Sequence, residues 1–218
     1  MIAREHILHK VRTALGHSAG RAAAPPPPAR LRIPAWEFGE RWKRFAAALE
    51  KLGGKAVLAA GAAAARQYVA TLTGGRPAVA SAAPALAAWG ITSLPGVRSE
   101  FRDDAELRSA CASADFGITT AEYALADTGS LALWASPEQT RLISVLPPVH
   151  VALVPASGLI TGLDELLTLV PRPLENSSAL VLVTGPSRTA DIEQILVRGV
   201  HGPGEIHVIV VEEREERS

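Results

Sequence analysis

The sequence predicts an α/β protein with a mainly parallel sheet flanked by helices and an N-terminal helical arm. From Trp36 onward, short and continuously apolar runs alternate with segments of helical periodicity. This alternation is typical of a parallel sheet that is covered on both faces. Four consecutive prolines at residues 25–28 follow an amphipathic segment. Because such a run favours an extended conformation, it separates the arm from the main body.

The individual elements follow in chain order. Residues 2–15 place apolar side chains at helical spacing, which predicts an amphipathic helix. That helix has three alternative contacts: its own domain, a second copy or a partner. Further helices are predicted for "WEFGERWKRFAAALEKLGG", "AAAARQYVATLTGG", "PALAAWG", "DDAELRSACAS" and "LDELLTLV". Strands are predicted for "KAVLAA", "PAVAS", "HVALVPAS", "SALVLVT" and "EIHVIVV", and a strand–helix–strand unit for "ADFGITTAEYALADTGSLALWA".

The predicted organisation has three parts. Residues 1–34 hold the amphipathic helix and the Pro-rich linker, residues 35–212 the α/β domain, and residues 213–218 a charged tail. The formal net charge is zero, which disfavours nucleic acid and anionic membranes as partners. The apolar stretches are too short to span a bilayer, and the N-terminus lacks the apolar core of a signal peptide. One cysteine, Cys111, cannot form an internal disulfide or hold a metal cluster alone. We therefore expect a soluble cytoplasmic protein without a metal site.

The first candidate site lies in "GITTAEYALADTGSLAL". Thr120 is predicted to cap a helix that begins near Ala121, which places Glu122 in the first helical turn. Glu122 is either a functional acid or a carboxylate that only stabilises the helix start. Thr128 and Gly129 then precede the next strand, where they serve a ligand or only a tight turn.

The second candidate site lies in "VTGPSRTADIEQ". Gly185 brings the backbone close to a ligand, and hydroxyl and guanidinium groups follow near a predicted helix N-terminus. This combination suits a carboxylate or a phosphate. Asp191 adds a carboxylate that acts on substrate, pairs with an arginine or favours the helix start. The predicted ligand contacts of this segment are Gly185, Ser187, Arg188, Thr189 and Glu193.

Two histidines and an arginine complete the candidates. His201 lies in the Gly- and Pro-rich loop "RGVHGPG", where acid–base chemistry, ligand binding and a loop-locking hydrogen bond are all open. Arg141 and His150 either complete an anion site or are a helix-end charge and a strand-entry hydrogen bond. His207 and Cys111 are predicted to be structural. The nucleotide-binding motifs G-x-G-x-x-G and G-K-[ST] do not occur in the sequence.

Three blocks carry a resemblance to a known family. The segments "ADFGITTAEYALADTGSLAL", "RLISVLPPVHVALV" and "VTGPSRTADIEQILVRGVHGP" resemble the signatures of the lactate-utilization protein C family, the LUD-domain proteins. The resemblance implies a fold similar to ribose-5-phosphate isomerase, glucosamine-6-phosphate deaminase and CoA-transferases. It also implies a role in the oxidation of L-lactate to pyruvate, together with a cysteine-rich and an iron–sulfur protein. Iron–sulfur clusters are then expected on those partners and no cofactor on this chain.

Three functional hypotheses follow. The favoured one is a subunit or accessory factor of a lactate-oxidising iron–sulfur complex, which binds a small carboxylate or organises its partners. The second is a free-standing enzyme of the isomerase or CoA-transferase kind that acts on a small anionic substrate, with Glu122 or Asp191 as base or nucleophile and His201 as acid. The third is a non-catalytic interaction module. Self-association into a homo-oligomer is compatible with each of them.

Overall fold

The computed structural model describes residues 3–16, 33–173, 175, 177–192 and 195–213. For residues 3, 189–192 and 195–198 it describes the backbone alone. The chain divides into two compact units, Met1–Leu31 and Arg32–Ser218. None of the described helices is long and apolar enough to span a bilayer.

The first unit contains helix α1 (Ala3–Ala14). Its exposed apolar side chains, Ile7 and Val11, are four residues apart, and Leu15 follows at the same spacing. Residues four apart lie on one face of a helix. The helix is therefore amphipathic, as the sequence predicts.

The second unit is built on a six-stranded sheet in which every neighbouring pair is parallel. In spatial order the strands are β1 (Lys55–Ala59), β12 (Glu205–Val211), β7 (Val149–Pro155), β4 (Phe116–Thr120), β2 (Ala78–Ala80) and β3 (Val97–Arg98). The prediction of an α/β fold with a mainly parallel sheet is confirmed.

A smaller mixed sheet packs beside the main one. Its strands, in spatial order, are β8 (Leu159–Ile160), β5 (Tyr123–Leu125), β6 (Ser130–Trp134) and β9 (Leu180–Val183). A separate antiparallel ribbon consists of β10 (Arg188–Ile192) and β11 (Ile195–Arg198). The predicted strand "SALVLVT" thus forms, but it belongs to the smaller sheet.

Helices cover both sheets and enclose the core. They are α2 (Phe38–Lys51), α3 (Ala62–Thr73), α4 (Pro84–Ala88), α5 (Asp104–Ser113), α6 (Arg141–Val145) and α7 (Leu163–Leu169). One face of the main sheet packs against α3 and α4 around Val69 and Leu86. Its other face packs against α2 and the smaller sheet around Phe45 and Leu131. The alternation of side chains along β12, with Val208 and Ile209 in different core clusters, shows that the strand is buried on both faces.

The prediction of a helix that begins near Ala121 is wrong. The chain instead forms strand β5, which pairs antiparallel with β6. A tight turn at residues 126–129 makes this hairpin possible, and Gly129 adopts the left-handed conformation at φ 68°. Thr120 consequently caps no helix, and Glu122 lies in the bend between β4 and β5.

The prediction of a helix that follows Thr189 is also wrong. Residues Arg188–Ile192 form β10, which pairs with β11. The sequence of this ribbon includes Thr189, Ile192, Ile195 and Val197, and β-branched residues favour strands over helices. Asp191 therefore has no helix N-terminus to stabilise.

Candidate functional site

A cavity of about 720 Å³ lies beyond the carboxyl ends of β2, β4, β7 and β12. Ligands of open α/β sheets bind at this edge, since loops there expose polar groups. We name it the carboxyl-edge cavity. Its polar lining residues are Thr120, Glu122, Ser136, Glu138, Gln139 and Glu213.

Gln139 is the most deeply buried polar residue of this lining, with an exposed fraction of 5%. Its side-chain oxygen accepts hydrogen bonds from the Thr120 backbone N–H at 3.2 Å and the Thr120 hydroxyl at 2.5 Å. Its Nε2 is buried and has no hydrogen-bond partner among the described residues. A buried amide donor without a partner is uncommon in proteins. The buried Nε2 of Gln139 thus has a hydrogen that no described residue accepts.

Glu122 lies at the mouth of the carboxyl-edge cavity and also lines a second cavity of about 510 Å³ with Tyr123 and Trp134. Its Oε2 accepts the Trp134 backbone N–H at 3.3 Å. Glu122 is an exposed residue, and partial desolvation of its carboxylate raises the pKa of Glu122. A carboxyl group tuned in this direction is suited to act as a general acid or base.

The charge of the carboxyl-edge cavity is negative. Glu122, Glu138 and Glu213 contribute carboxylates, whereas no Lys, Arg or His occurs among the described residues that line it. Like charges repel in a partly desolvated site, so the cavity does not favour an anion. Nor do three or more His, Cys, Asp or Glu side chains group as a metal site within the part of the chain that the structure describes.

The cations lie in a neighbouring groove of about 510 Å³ between α5 and α6. Arg108, Arg141 and Thr140 line it, beside apolar residues and the acidic Asp104. Neither guanidinium has a hydrogen-bond or ion-pair partner within the described residues. We name it the arginine groove. The segment 136–141 separates it from the carboxyl-edge cavity.

The second group of predicted ligand contacts lies at the opposite edge of the main sheet. Ser187 donates its backbone N–H to Pro203 at 2.8 Å, and Gly204 donates to Pro148, which directly precedes β7, at 3.0 Å. This segment therefore does not share an edge with Glu122. Strand β9 runs antiparallel to β6 in the smaller sheet, so the residues after β9 do not meet the carboxyl ends of the main strands.

Arg188 and Gly185 surround the end of α2. The Arg188 guanidinium donates to the carbonyl oxygen of Leu52, the C-cap residue of α2. A Cβ on Gly185 would lie 2.9 Å from the Leu52 side chain. A cation at a helix C-terminus is stabilising because it opposes the helix dipole. The described contacts of both residues are thus structural.

Thr128 and Gly129 also lie near α2. A Cβ on Gly129 would lie 2.5 Å from the backbone nitrogen of Leu49, so the turn packs directly on the helix. Thr128 is exposed in the same turn. The alternative of a tight turn accounts for these residues without a ligand.

His201 is exposed in the bend between β11 and β12. Strand β7 spans the sheet between this bend and the edge that holds Glu122, a separation on the order of 20 Å at about 3.3 Å per residue. The structure does not bring Glu122 and His201 together as a base and an acid. Thr189 and Asp191 have a described backbone in β10 only, and Glu193 lies outside the described residues.

Comparison with known proteins assigns the family. The family model described as the LUD domain matches residues 42–211. The chain belongs to the LUD domain family. Together with the fold, this confirms the resemblance that the three sequence blocks carry.

Curated relatives of this LUD domain are named Lactate utilization protein C. The protein from Bacillus licheniformis is 37% identical over 105 residues, which is 46% of this chain and 44% of the relative. The protein from Bacillus subtilis is 36% identical over 105 residues, with the same coverage of both chains. The protein from Anoxybacillus flavithermus is 37% identical over 113 residues, which is 52% of this chain and 50% of the relative. The matched region is thus about half the length of each relative.

A solved structure has the same fold as this LUD domain. It is a DUF162 family protein from Deinococcus radiodurans, with a TM-score of 0.62 and 22% sequence identity. The likeness covers 81% of this chain and 99% of that one.

The remaining polar candidates of the LUD domain are buried in its sheet. His150 is 1% exposed, and its Nε2 lies 2.8 Å from the Thr119 hydroxyl. His207 lies 2.7 Å from the Tyr68 hydroxyl and 2.8 Å from the Glu205 carboxylate. Both histidines make structural contacts, and the buried Nδ1 of His150 has no hydrogen-bond partner among the described residues. Burial raises the pKa of the Cys111 thiol, which disfavours a thiolate.

Sequence reasoning missed several residues of the two LUD-domain sites. Trp89 and Gln139 line the carboxyl-edge cavity, and Arg108 lines the arginine groove. Glu213 was assigned to a charged tail, yet it follows the end of β12. The rule that ligands lie beyond parallel strands would have found Glu213 if applied to the last strand. No sequence signal identifies Gln139, because only tertiary folding places it against Thr120.

Proposed function

We propose that this LUD domain serves in lactate utilization as a subunit or accessory factor of a cytoplasmic iron–sulfur assembly that oxidises L-lactate to pyruvate. The names of the curated relatives support this role. Since the matched region is about half of each relative, the activity of the whole assembly belongs to the proposal.

The arginine groove is the observation that supports a ligand-binding role. Arg108 and Arg141 line one groove without a described partner for either guanidinium. Arginine recognises carboxylates through paired, charge-assisted hydrogen bonds. A small carboxylate such as L-lactate or pyruvate binds there, with the Thr140 hydroxyl as a further hydrogen-bonding group. The carboxyl-edge cavity is excluded from this role by its three carboxylates.

The electron-carrying groups of the assembly belong to partner proteins. The chain has one cysteine, whereas an iron–sulfur cluster is held by four thiolates. A cysteine-rich and an iron–sulfur protein would supply them, and this domain would bind substrate or product, or organise the partners.

Calorimetric titration of the purified chain with L-lactate and pyruvate tests the ligand. Arg141→Gln and Arg108→Gln are each expected to weaken binding about tenfold, because a hydrogen bond to a charged group contributes about 1.5–3 kcal/mol. Lys43→Gln removes an equally positive charge from an exposed position of α2 that does not line the groove and should leave the affinity unchanged. Equal affinities for all variants would reject the groove as the carboxylate site.

Reconstitution with the partner proteins tests the assembly. Lactate oxidation is expected to require this chain and to fall with Arg141→Gln. If the partners oxidise lactate at the same rate without it, the subunit role is wrong.

A further inference from the structure

The cavity of about 510 Å³ beside Tyr123 and Trp134 lies on the smaller sheet, and we name it the aromatic cavity. Tyr123 in β5 pairs with Ala132 in β6, and alternate residues of a strand point to the same face of a sheet. Tyr123 and Trp134 therefore lie on one face, where they pack against the core cluster around Leu166. The sheet thus presents two large aromatic side chains side by side.

The two aromatic rings form a corner. Their centroids are 6.0 Å apart, and their planes are inclined by 69°, so the edge of one ring points to the face of the other. Both residues are half-buried, and both line the cavity. The indole of Trp134 is also fixed, because its Nε1 donates to the carbonyl oxygen of Pro173 at 2.5 Å. The corner is therefore formed before any ligand arrives.

Glu122 gives the aromatic cavity a negative charge. Its Oε2 accepts the Trp134 backbone N–H at 3.3 Å, which places the carboxylate beside the main chain of β6. No Lys, Arg or His occurs among the described residues that line the cavity. Glu122 also makes no ion pair within the part of the chain that the structure describes. A cationic ligand would supply the missing counter-charge.

Ring faces and the apolar lining narrow the class of cation. The face of an aromatic ring is electrostatically negative and attracts a cation that lies over it. Pro155, Gly158 and Val170 complete most of the lining, and their side chains offer no acceptor for ammonium N–H groups. A primary ammonium is strongly hydrated and would lose hydrogen bonds there. An ammonium group that carries methyl groups loses none.

We propose that the aromatic cavity binds a small, free quaternary ammonium compound. The methylated head lies in the corner between Tyr123 and Trp134, with Glu122 as its counter-charge. A free compound is favoured over a lipid headgroup because no Lys or Arg among the described lining residues is available for a phosphate. The cavity shares no lining residue with the arginine groove, and the proposal does not depend on the role in lactate utilization.

A pair of isosteric probes tests the proposal. Choline and 3,3-dimethyl-1-butanol have the same shape, but only choline carries a positive charge. Ligand-observed NMR is suitable, since a fragment of this size is expected to bind with a Kd on the order of millimolar. Choline should bind saturably to the full chain, and the alcohol should bind about tenfold more weakly. The ring currents should also shift the N-methyl resonance of bound choline upfield.

Variants localise the binding. Tyr123→Leu and Trp134→Leu each remove one aromatic wall, and Glu122→Gln removes the charge, so each should weaken choline binding several-fold. Two controls change the carboxyl-edge cavity and not the aromatic cavity. They are Glu138→Gln, which removes a carboxylate, and Trp89→Leu, which removes an indole, and both should retain the wild-type affinity. Circular dichroism verifies that each variant is folded.

Three outcomes would overturn the proposal: the alcohol binds as tightly as choline, folded wild-type protein shows no saturable choline binding, or folded Tyr123→Leu and Trp134→Leu bind choline like the wild type. Co-sedimentation with phosphatidylcholine vesicles in place of binding to free choline would overturn it as well, since the head would then be read on a membrane. Lactate affinity is expected to stay unchanged in Tyr123→Leu, so failure of one site leaves the other testable.

Discussion

Thr120 donates both its backbone N–H and its hydroxyl to the side-chain oxygen of Gln139. These hydrogen bonds connect the segment before α6 to the carboxyl end of β4.

Removing Gln139 should therefore destabilise the protein. Gln139→Ala leaves two Thr120 donors without their acceptor, and the expected loss in the free energy of unfolding is about 1–3 kcal/mol. Gln67→Ala, on the exposed face of α3, is the matched control and should change little. Urea unfolding measures both, and equal effects would mean that the Thr120 contact contributes nothing.

The stability of the protein should depend on pH through His150. Burial lowers the pKa of His150 from 6.5 to about 4, so as the pH falls below 6.5 the unfolded chain takes up a proton that the folded protein does not. The contribution of His150 to the free energy of unfolding is therefore fully present above pH 6.5. It declines by about 3 kcal/mol as the pH falls toward 4. Burial lowers the pKa of His207 as well, which adds to the same decline.

The free energy of unfolding, measured at pH 7 and at pH 5, tests whether His150 causes this decline. His150→Gln should show a smaller loss over this interval than the wild type, even though its stability at pH 7 is lower. His201→Gln, at an exposed histidine, should retain the wild-type loss. A wild-type pH dependence in His150→Gln would show that His150 is not its source.

Two glycines with the same backbone conformation should respond differently to alanine. Gly129 has φ 68°, and its Cβ would lie 2.5 Å from a backbone atom of α2. Gly74 has φ 57°, with no atom within 4 Å of its Cβ. Gly129→Ala adds overlap to backbone strain and should cost about 3 kcal/mol, against about 1 kcal/mol for Gly74→Ala. Thermal or urea unfolding checks the order, and a reversed order would refute the close approach.

Arg188 should matter for stability and not for lactate binding. Arg188→Ala removes the hydrogen bond to Leu52 at the end of α2, with an expected loss of about 0.5–1.5 kcal/mol. Arg188→Lys keeps the charge near the helix end and should recover part of it. An unchanged unfolding free energy together with weakened lactate binding would instead identify Arg188 as a ligand contact.

The sequence is informative where periodicity is strong. Apolar strands such as "HVALVPAS" and the amphipathic helix around Phe45 and Leu49 were predicted correctly, since their burial follows from a regular pattern. The structure of the bends was harder to predict from the sequence. The residues after Thr120 and after Arg188 suit either a helix start or a strand, and pairing with β6 and with β11 decided both.

The candidate site was only partly predictable. Thr120 and Glu122 follow a parallel strand and do line the cavity, as the strand-end rule predicts. The richest polar segment, around Arg188, follows an antiparallel strand and lies at the opposite edge. Sequence alone does not reveal which sheet a strand joins, because that depends on long-range pairing.

The central claim is that Arg141 and Arg108 hold a small carboxylate in the arginine groove. Calorimetric titration of L-lactate into the wild type and Arg141→Gln tests it most directly. Saturable binding that weakens about tenfold in Arg141→Gln, and is retained in Lys43→Gln, is the expected result. Lactate affinity that is identical in all three proteins would contradict the account.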